Sequence, residues 1–312
     1  MAMQIDVVIA FFLLGVVARL LRADIHFPVA LHQTLTLFLL LAIGLKGGVA
    51  LAAHASWSLL PQALAVVAFG LVLPLLAFPL LRQIGHFSRV DAASVAAHYG
   101  SVSIGTYAVG AALLEARAIP FESYFPFFVA LLEVPAIAVG LILARQGQAI
   151  AWRPLIGELG RNQGLFLLLG SLLIGVAWAG RVDSVLPLFR DLFHGALALF
   201  LLDMGLRAAS RLPDLRQHGP FIAAFGVFMP LMGGLLGGLL GWTLGLSTGG
   251  VFLLAVLGAS ASYIAVPAAM QVALPEANQG LAMTASLGVT FPFNVLAGLP
   301  VYALYAHWLT AA

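Results

Sequence analysis

His98-Tyr99-Gly100-Ser101-Val102-Ser103-Ile104-Gly105-Thr106 and Gly258-Ala259-Ser260-Ala261-Ser262-Tyr263 are the two stretches on which the reading of this chain turns. Each lies at the centre of an apolar run of about 20 residues or more, long enough to cross a bilayer. Lipid cannot hydrogen-bond a backbone that leaves the helix, so hydroxyls and glycines at that depth are poor material for a lipid-facing surface. They are good material for holding a small polar solute. The same pattern in both halves of one chain points to a secondary transporter built from internal repeats.

Composition agrees. Of 312 residues, 62% are hydrophobic and only 8% charged, with a mean hydropathy of +1.07. A soluble domain carries about 25% charged residues. The first apolar stretch is not read as a cleavable signal: Asp6 precedes it, no basic segment leads it, and a second apolar run follows at once. The absence of cysteine excludes disulfides, thiol catalysis and thiolate metal sites.

The hydropathy pattern predicts an all-α membrane protein with ten transmembrane helices, at about 5–22, 28–53, 57–82, 91–114, 122–145, 163–180, 184–207, 219–245, 249–272 and 279–308. Residues 1–150 form the first five-helix unit, 151–162 a hydrophilic cytoplasmic loop, and 163–312 the second unit. Ten arginines fall on loops or helix ends of one side and three (Arg117, Arg181 and Arg190) on the other. That asymmetry places the connecting loop in the cytoplasm and both termini outside, in a multi-pass protein of the cell inner membrane.

The halves match in order. Gly44-Leu45-Lys46-Gly47-Gly48 corresponds to Gly205-Leu206-Arg207-Ala208-Ala209, Ser101-Val102-Ser103 to Ser260-Ala261-Ser262, and Phe125-Pro126-Phe127 to Phe291-Pro292-Phe293. An odd number of spans per repeat makes the second repeat enter from the opposite face, which is inverted topology.

Ser101, Ser103, Thr106, Ser260 and Ser262 could simply let helices pack closely. Two such patches at equivalent depth favour a substrate site. Residues at i and i+2 do not share a helical face, so a serine pair aimed at one ligand requires the fourth and ninth spans to be interrupted, near Gly100–Ser103 and Gly258–Ser262. Half-helix N-termini would then meet an anion and freed carbonyls a cation. Glu133 in mid-span is a functional candidate because a buried carboxylate is costly in lipid. Asn294, and Thr290 one turn before it, fall near the corresponding place in the second repeat. With carbonyls freed by Pro126, Pro135 and Pro292, they are read as sodium or coupling residues.

Other features take blander readings. Asp203 and Arg207 pair at i, i+4, and Lys46 is expected to snorkel outward. Arg190 and Asp191 are read as charges of the membrane interface. His98 is read as a hydrogen-bond partner of the break rather than a proton carrier, and Tyr263 as packing or capping the second break. Gly233-Gly234 and Gly237-Gly238 form a small-residue stripe for helix packing. Trp152, Trp178, Trp242 and Trp308 fall near predicted ends, as an aromatic belt expects. No nucleophile elbow or zinc-ligand spacing occurs, so the chain is not expected to be an enzyme, and no cofactor beyond a coupling ion is expected.

Taken together, Ile43-Gly44-Leu45-Lys46-Gly47-Gly48, Asp91-Ala92-Ala93 with Gly100-Ser101-Val102-Ser103, Phe125-Pro126-Phe127 with Pro135-Ala136, Met204-Gly205-Leu206, Ala259 to Pro267 and Leu274-Pro275-Glu276-Ala277-Asn278 resemble the sodium-dependent bicarbonate transporter family over nearly the whole chain. The resemblance implies an elevator-type carrier that works as a homotrimer. Its gate domain would be about 1–53 plus 163–210, and its mobile core about 57–145 plus 219–309. It implies bicarbonate at Gly100, Ser101, Ser103, Thr106, Ser260 and Ser262, with sodium beside it as the coupling ion. A PII-like cytoplasmic regulator inhibits the cyanobacterial members. This chain departs from those members at Tyr263, where they are acidic, and in its shorter connecting loop, which suggests a non-cyanobacterial branch.

The leading expectation is therefore sodium-coupled uptake of bicarbonate by alternating access. The alternatives are a cation-coupled carrier of another small anion, such as a short carboxylate, and, less favoured, a channel or membrane sensor.

Overall fold

The computed structural model describes residues 6–54, 57, 59–147 and 152–311, and these are all-helical, with no strand among them. The helices are α1 (Val7–Leu20), α2 (Val29–His54), α3 (Leu59–Ile84), α4 (Arg89–Gly100), α5 (Ile104–Ala116), α6 (Phe125–Arg145) and α7 (Trp152–Arg161). They continue as α8 (Gln163–Ala177), α9 (Leu186–Asp191), α10 (Phe193–Ser210), α11 (Leu212–Thr243), α12 (Thr248–Ala259), α13 (Ala265–Ala273) and α14 (Gln279–Ala311). Among the described residues, five stretches are single helices long and apolar enough to cross a membrane alone: α2, α3, α6, α11 from Gly219 onward, and α14. α1, α8 and α12 are apolar but shorter.

Side-chain caps set many of the boundaries. Asp6 accepts from the Val8 N–H at 2.9 Å to start α1, and Asn162 from that of Leu165 at 3.1 Å to start α8. Ser88 caps α4 by accepting from the Asp91 N–H at 3.0 Å, and Ser247 caps α12 through the Gly250 N–H at 3.1 Å. Gly219 has φ +78°, left-handed backbone that glycine adopts freely, and it breaks α11 just before Pro220. In α14, Pro292 lacks an N–H, and wider turns flank it over Thr284–Thr290 and Asn294–Gly298.

The connection expected to be a loop is largely helix, since α7 occupies Trp152–Arg161. The signal was present: Trp152, Leu155, Ile156 and Leu159 recur at i, i+3, i+4 and i+7, an amphipathic period short enough to pass for a hydrophilic linker.

Packing falls into two groups. α1 lies along α10, and α2 along α8. Both crossings are close because glycines face each other. A Cβ on Gly205 would sit 2.2 Å from the Phe12 carbonyl oxygen, and one on Gly48 2.1 Å from that of Leu172. α2 and α10 are also joined through Asp203, whose carboxylate oxygen lies 2.6 Å from both His32 Nδ1 and Arg207 Nε. In the second group α3, α4 and α6 pack together, α11 lies along α12, and α14 covers both. The glycine stripe in α11 is a packing device on two faces. Gly233 and Gly237 meet the Gly258 and Leu254 carbonyls, while Gly234 and Gly238 meet the rings of Tyr302 and Tyr305.

Candidate functional site

Helix stops at Gly100 and resumes at Ile104, and it stops at Ala259 and resumes at Ala265. Between these ends the backbone is extended: Ser101 has φ −95°, ψ 172°, and Ser260 φ −84°, ψ 164°. The two interruptions meet. The Ser262 N–H donates to the His98 carbonyl at 2.8 Å, and the Ser103 N–H donates to Ser260 Oγ at 3.0 Å. The polar breaks therefore satisfy one another deep in the protein, where Ser101, Ser103, Thr106, Ser260 and Ser262 are all buried.

The second serine of each pair caps the next half-helix. Ser103 Oγ accepts from the Thr106 N–H at 3.1 Å and from the Thr106 hydroxyl at 2.9 Å, and Ser262 Oγ accepts from the Val266 N–H at 3.4 Å. The first serine is tied differently on the two sides. Ser101 donates to Glu133 Oε2 at 2.8 Å, and Ser260 donates to the Leu257 carbonyl at 2.9 Å. Gly100 faces away into packing, because a Cβ there would lie 2.3 Å from Pro74.

The candidate coupling residues form two half-sites rather than one cluster. Glu133 serves the first break through Ser101. Asn294 serves the second. Its amide donates to the Ala259 carbonyl at 2.8 Å and its oxygen accepts from Tyr302 at 3.0 Å. Thr290 joins three helices, bonding Tyr99 at 2.8 Å and donating to the Gly226 carbonyl at 2.8 Å. Among the described residues no three His, Asp or Glu side chains converge as a metal cluster. His98 turns Nδ1 to the Ser94 carbonyl at 2.8 Å, the bond of a group that holds the local backbone.

Lys46, expected to snorkel outward, directs its ammonium to Glu115 at 3.0 Å, one residue from the end of α5, and over the Phe193 ring.

The first turn of α5 is the least satisfied part of this region. The first N–H groups of a helix have no partner within it. Ser103 takes that of Thr106, which leaves those of Ile104 and Gly105 without an acceptor among the described residues. Tyr263 points its hydroxyl at the same turn, facing Ser103, and a Cβ on Gly105 would lie 2.4 Å from it. That hydroxyl is buried and makes no hydrogen bond of good geometry. Phe200 of α10 and Phe291 of α14 wall the place. The sequence assigned Tyr263 to packing or capping the second break. It does pack edge-on against Phe291, with ring centroids 5.4 Å apart, but its hydroxyl reaches the other break.

Ser103, Tyr263 and the two free N–H groups amount to four hydrogen-bond donors and a helix N-terminus, with no full positive charge. Such a set suits a small anion that is bound and later released. A hollow of about 700 Å³ between α1, α2 and α10 is lined mostly by apolar side chains, and of its polar ones Thr34 donates to the Ala30 carbonyl and His194 faces Glu115.

A comparison with curated proteins finds no match. The sequence profile of the Na+-dependent bicarbonate transporter superfamily matches residues 7–307, nearly the whole chain. The chain belongs to that superfamily, and it is a multi-pass membrane transport protein rather than an enzyme.

Proposed function

We propose that this protein takes up bicarbonate by alternating access, coupled to sodium, and that the anion is held at the first turn of α5. The observation that carries this is the free donor set at that turn, where the two breaks meet. Bicarbonate would accept from the Ile104 and Gly105 N–H groups and from the hydroxyls of Ser103 and Tyr263. Ser260 and Ser262 hold the second break in place against it.

Family membership supports both bicarbonate and sodium. Sodium, as co-substrate, would take the hard oxygens beside the breaks: Glu133 with Ser101 on one side, and Asn294 with Thr290 on the other. A cation is needed on energetic grounds too. Moving a monovalent anion into a cell opposes an inside-negative potential worth about 2.3 kcal/mol per charge per 100 mV.

The proposed architecture is ten spans in two inverted repeats. The interrupted pairs α4–α5 and α12–α13 count as the fourth and ninth spans, and α9–α10 as the seventh. One regularity favours the symmetry: the first span packs on the seventh while the second packs on the sixth. α1, α2, α8, α9 and α10 are the natural gate, and the remaining spans the moving core. A homotrimer built through the gate domains fits that division.

The test is uptake of labelled bicarbonate into proteoliposomes with sodium outside, competed by formate, acetate and nitrate. Sodium-dependent uptake blocked best by unlabelled bicarbonate is expected. Stronger competition by formate or acetate would make the chain a carrier of short carboxylates instead.

A further inference from the structure

A second hollow, with charged groups at one end, lies away from the crossing of the breaks. A cavity of about 300 Å³ separates α2 from α5, with α9 and α10 beside it. On α5 it is walled by Tyr107, Ala111 and Glu115. Their i, i+4, i+8 spacing makes one continuous stripe. The stripe begins at Tyr107, one turn after Ser103, and ends at Glu115, about 12 Å further along at 1.5 Å per residue. The cavity therefore runs along α5 from its far end to within a turn of the anion donors.

Charge is concentrated at the far end. Lys46 of α2 donates to Glu115 Oε1 at 3.0 Å, and its ammonium stands 4.9 Å from the centroid of the Phe193 ring. His194 Nε2 lies 3.8 Å from the other carboxylate oxygen. Arg190 lines the same cavity, and among the described residues no carboxylate lies within ion-pair distance of it. Two permanent cations thus line a cavity that holds one carboxylate, and a single monovalent anion would balance them. The side chains of Lys46 and Glu115 are 32% and 33% exposed, and an ion pair that wet is readily exchanged. Lys46 belongs to the proposed gate and Glu115 to the proposed core, so their bond is a latch between the parts that must slide.

We propose that this cavity is a capture site for the transported anion, in which Lys46 and Arg190 bind a monovalent oxyanion and Lys46 exchanges Glu115 for it. The exchange unlatches α2 from α5, and the anion then passes along the α5 stripe to the donors at the first turn. The inference rests on the transport reading above, from which it takes its substrate.

Because the chain has no cysteine, one introduced thiol can carry either charge. The Lys46→Cys protein in proteoliposomes is expected to need about three- to tenfold more anion for half-maximal uptake, with a smaller change in maximal rate. Labelling with a trimethylammonium methanethiosulfonate should restore the half-saturating concentration, and labelling with the sulfonate reagent should raise it further. Equal effects of the two reagents, or an unlabelled variant that matches the unaltered protein, would overturn the proposal. Should Lys46→Cys not yield folded protein, Glu115→Gln decides: it frees Lys46, so half-saturation should fall, and an unchanged or higher value would count against capture. The unaltered protein is measured first. If it carries formate or nitrate but not bicarbonate, the substrate assigned above is wrong, and the charge comparison is made with that anion to the same two outcomes.

Discussion

Ser103 does two jobs that can be separated by measurement. It caps α5, and its hydroxyl proton is available to an anion. Ser103→Ala should cost about 1 kcal/mol of stability as a lost cap and about 1.5–3 kcal/mol of anion binding as a lost bond to charge. Tyr263→Phe differs, since its buried hydroxyl has no protein partner to lose. It should leave the thermal midpoint unchanged or raise it, while half-saturation for the anion rises about tenfold. A variant that melts earlier yet transports normally would return Tyr263 to packing alone. Glu133→Gln keeps an oxygen for Ser101, so a purely structural role predicts near silence. The coupling role predicts a rise of about tenfold in the sodium needed for half-maximal uptake, read from sodium titrations at saturating anion. The burial of the serines, Glu133 and Asn294 beside the breaks was legible in the sequence because polarity at membrane depth has few innocent explanations. Tyr263 was not, because an aromatic beside a break looks like packing until the fold shows which helix its hydroxyl faces.

At the level of elements, the breaks are held by close helix contacts that side chains other than glycine would block. A methyl on Gly233 would come 2.0 Å from the Gly258 carbonyl, two residues before the second break. Gly233→Ala should force α11 from α12, cost about 1–3 kcal/mol, and weaken transport with it. Gly170→Ala on α8, which meets nothing within 4 Å, is the control and should be neutral or stabilising by up to about 1 kcal/mol in thermal melts. Helix positions were readable from hydropathy to within a few residues: the spans expected at 163–180 and 219–245 are found as helices Gln163–Ala177 and Gly219–Thr243. Two features were not. α7 was too short and too polar to register as helix. The partner of Lys46, Glu115, lies 69 residues away, beyond the reach of local pattern.

For the whole molecule, the account joins three levels. Duplicated small polar clusters interrupt two helices, the interruptions cross, and the crossing presents a helix N-terminus with unsatisfied donors and no fixed charge. Coupling follows at this scale, because an uncharged site cannot by itself concentrate an anion against the membrane potential. Dissipating the sodium gradient, with the proton gradient held constant, should therefore abolish accumulation of bicarbonate in proteoliposomes but leave downhill exchange. The central claim is where the anion sits, and the most direct measurement is an electron cryo-microscopy map of the protein in lipid with sodium and bicarbonate present. The account predicts density for a small anion at the first turn of α5, within hydrogen-bonding distance of the Gly105 N–H, Ser103 and the Tyr263 hydroxyl. Density only elsewhere, or α4 running without interruption into α5, would contradict it.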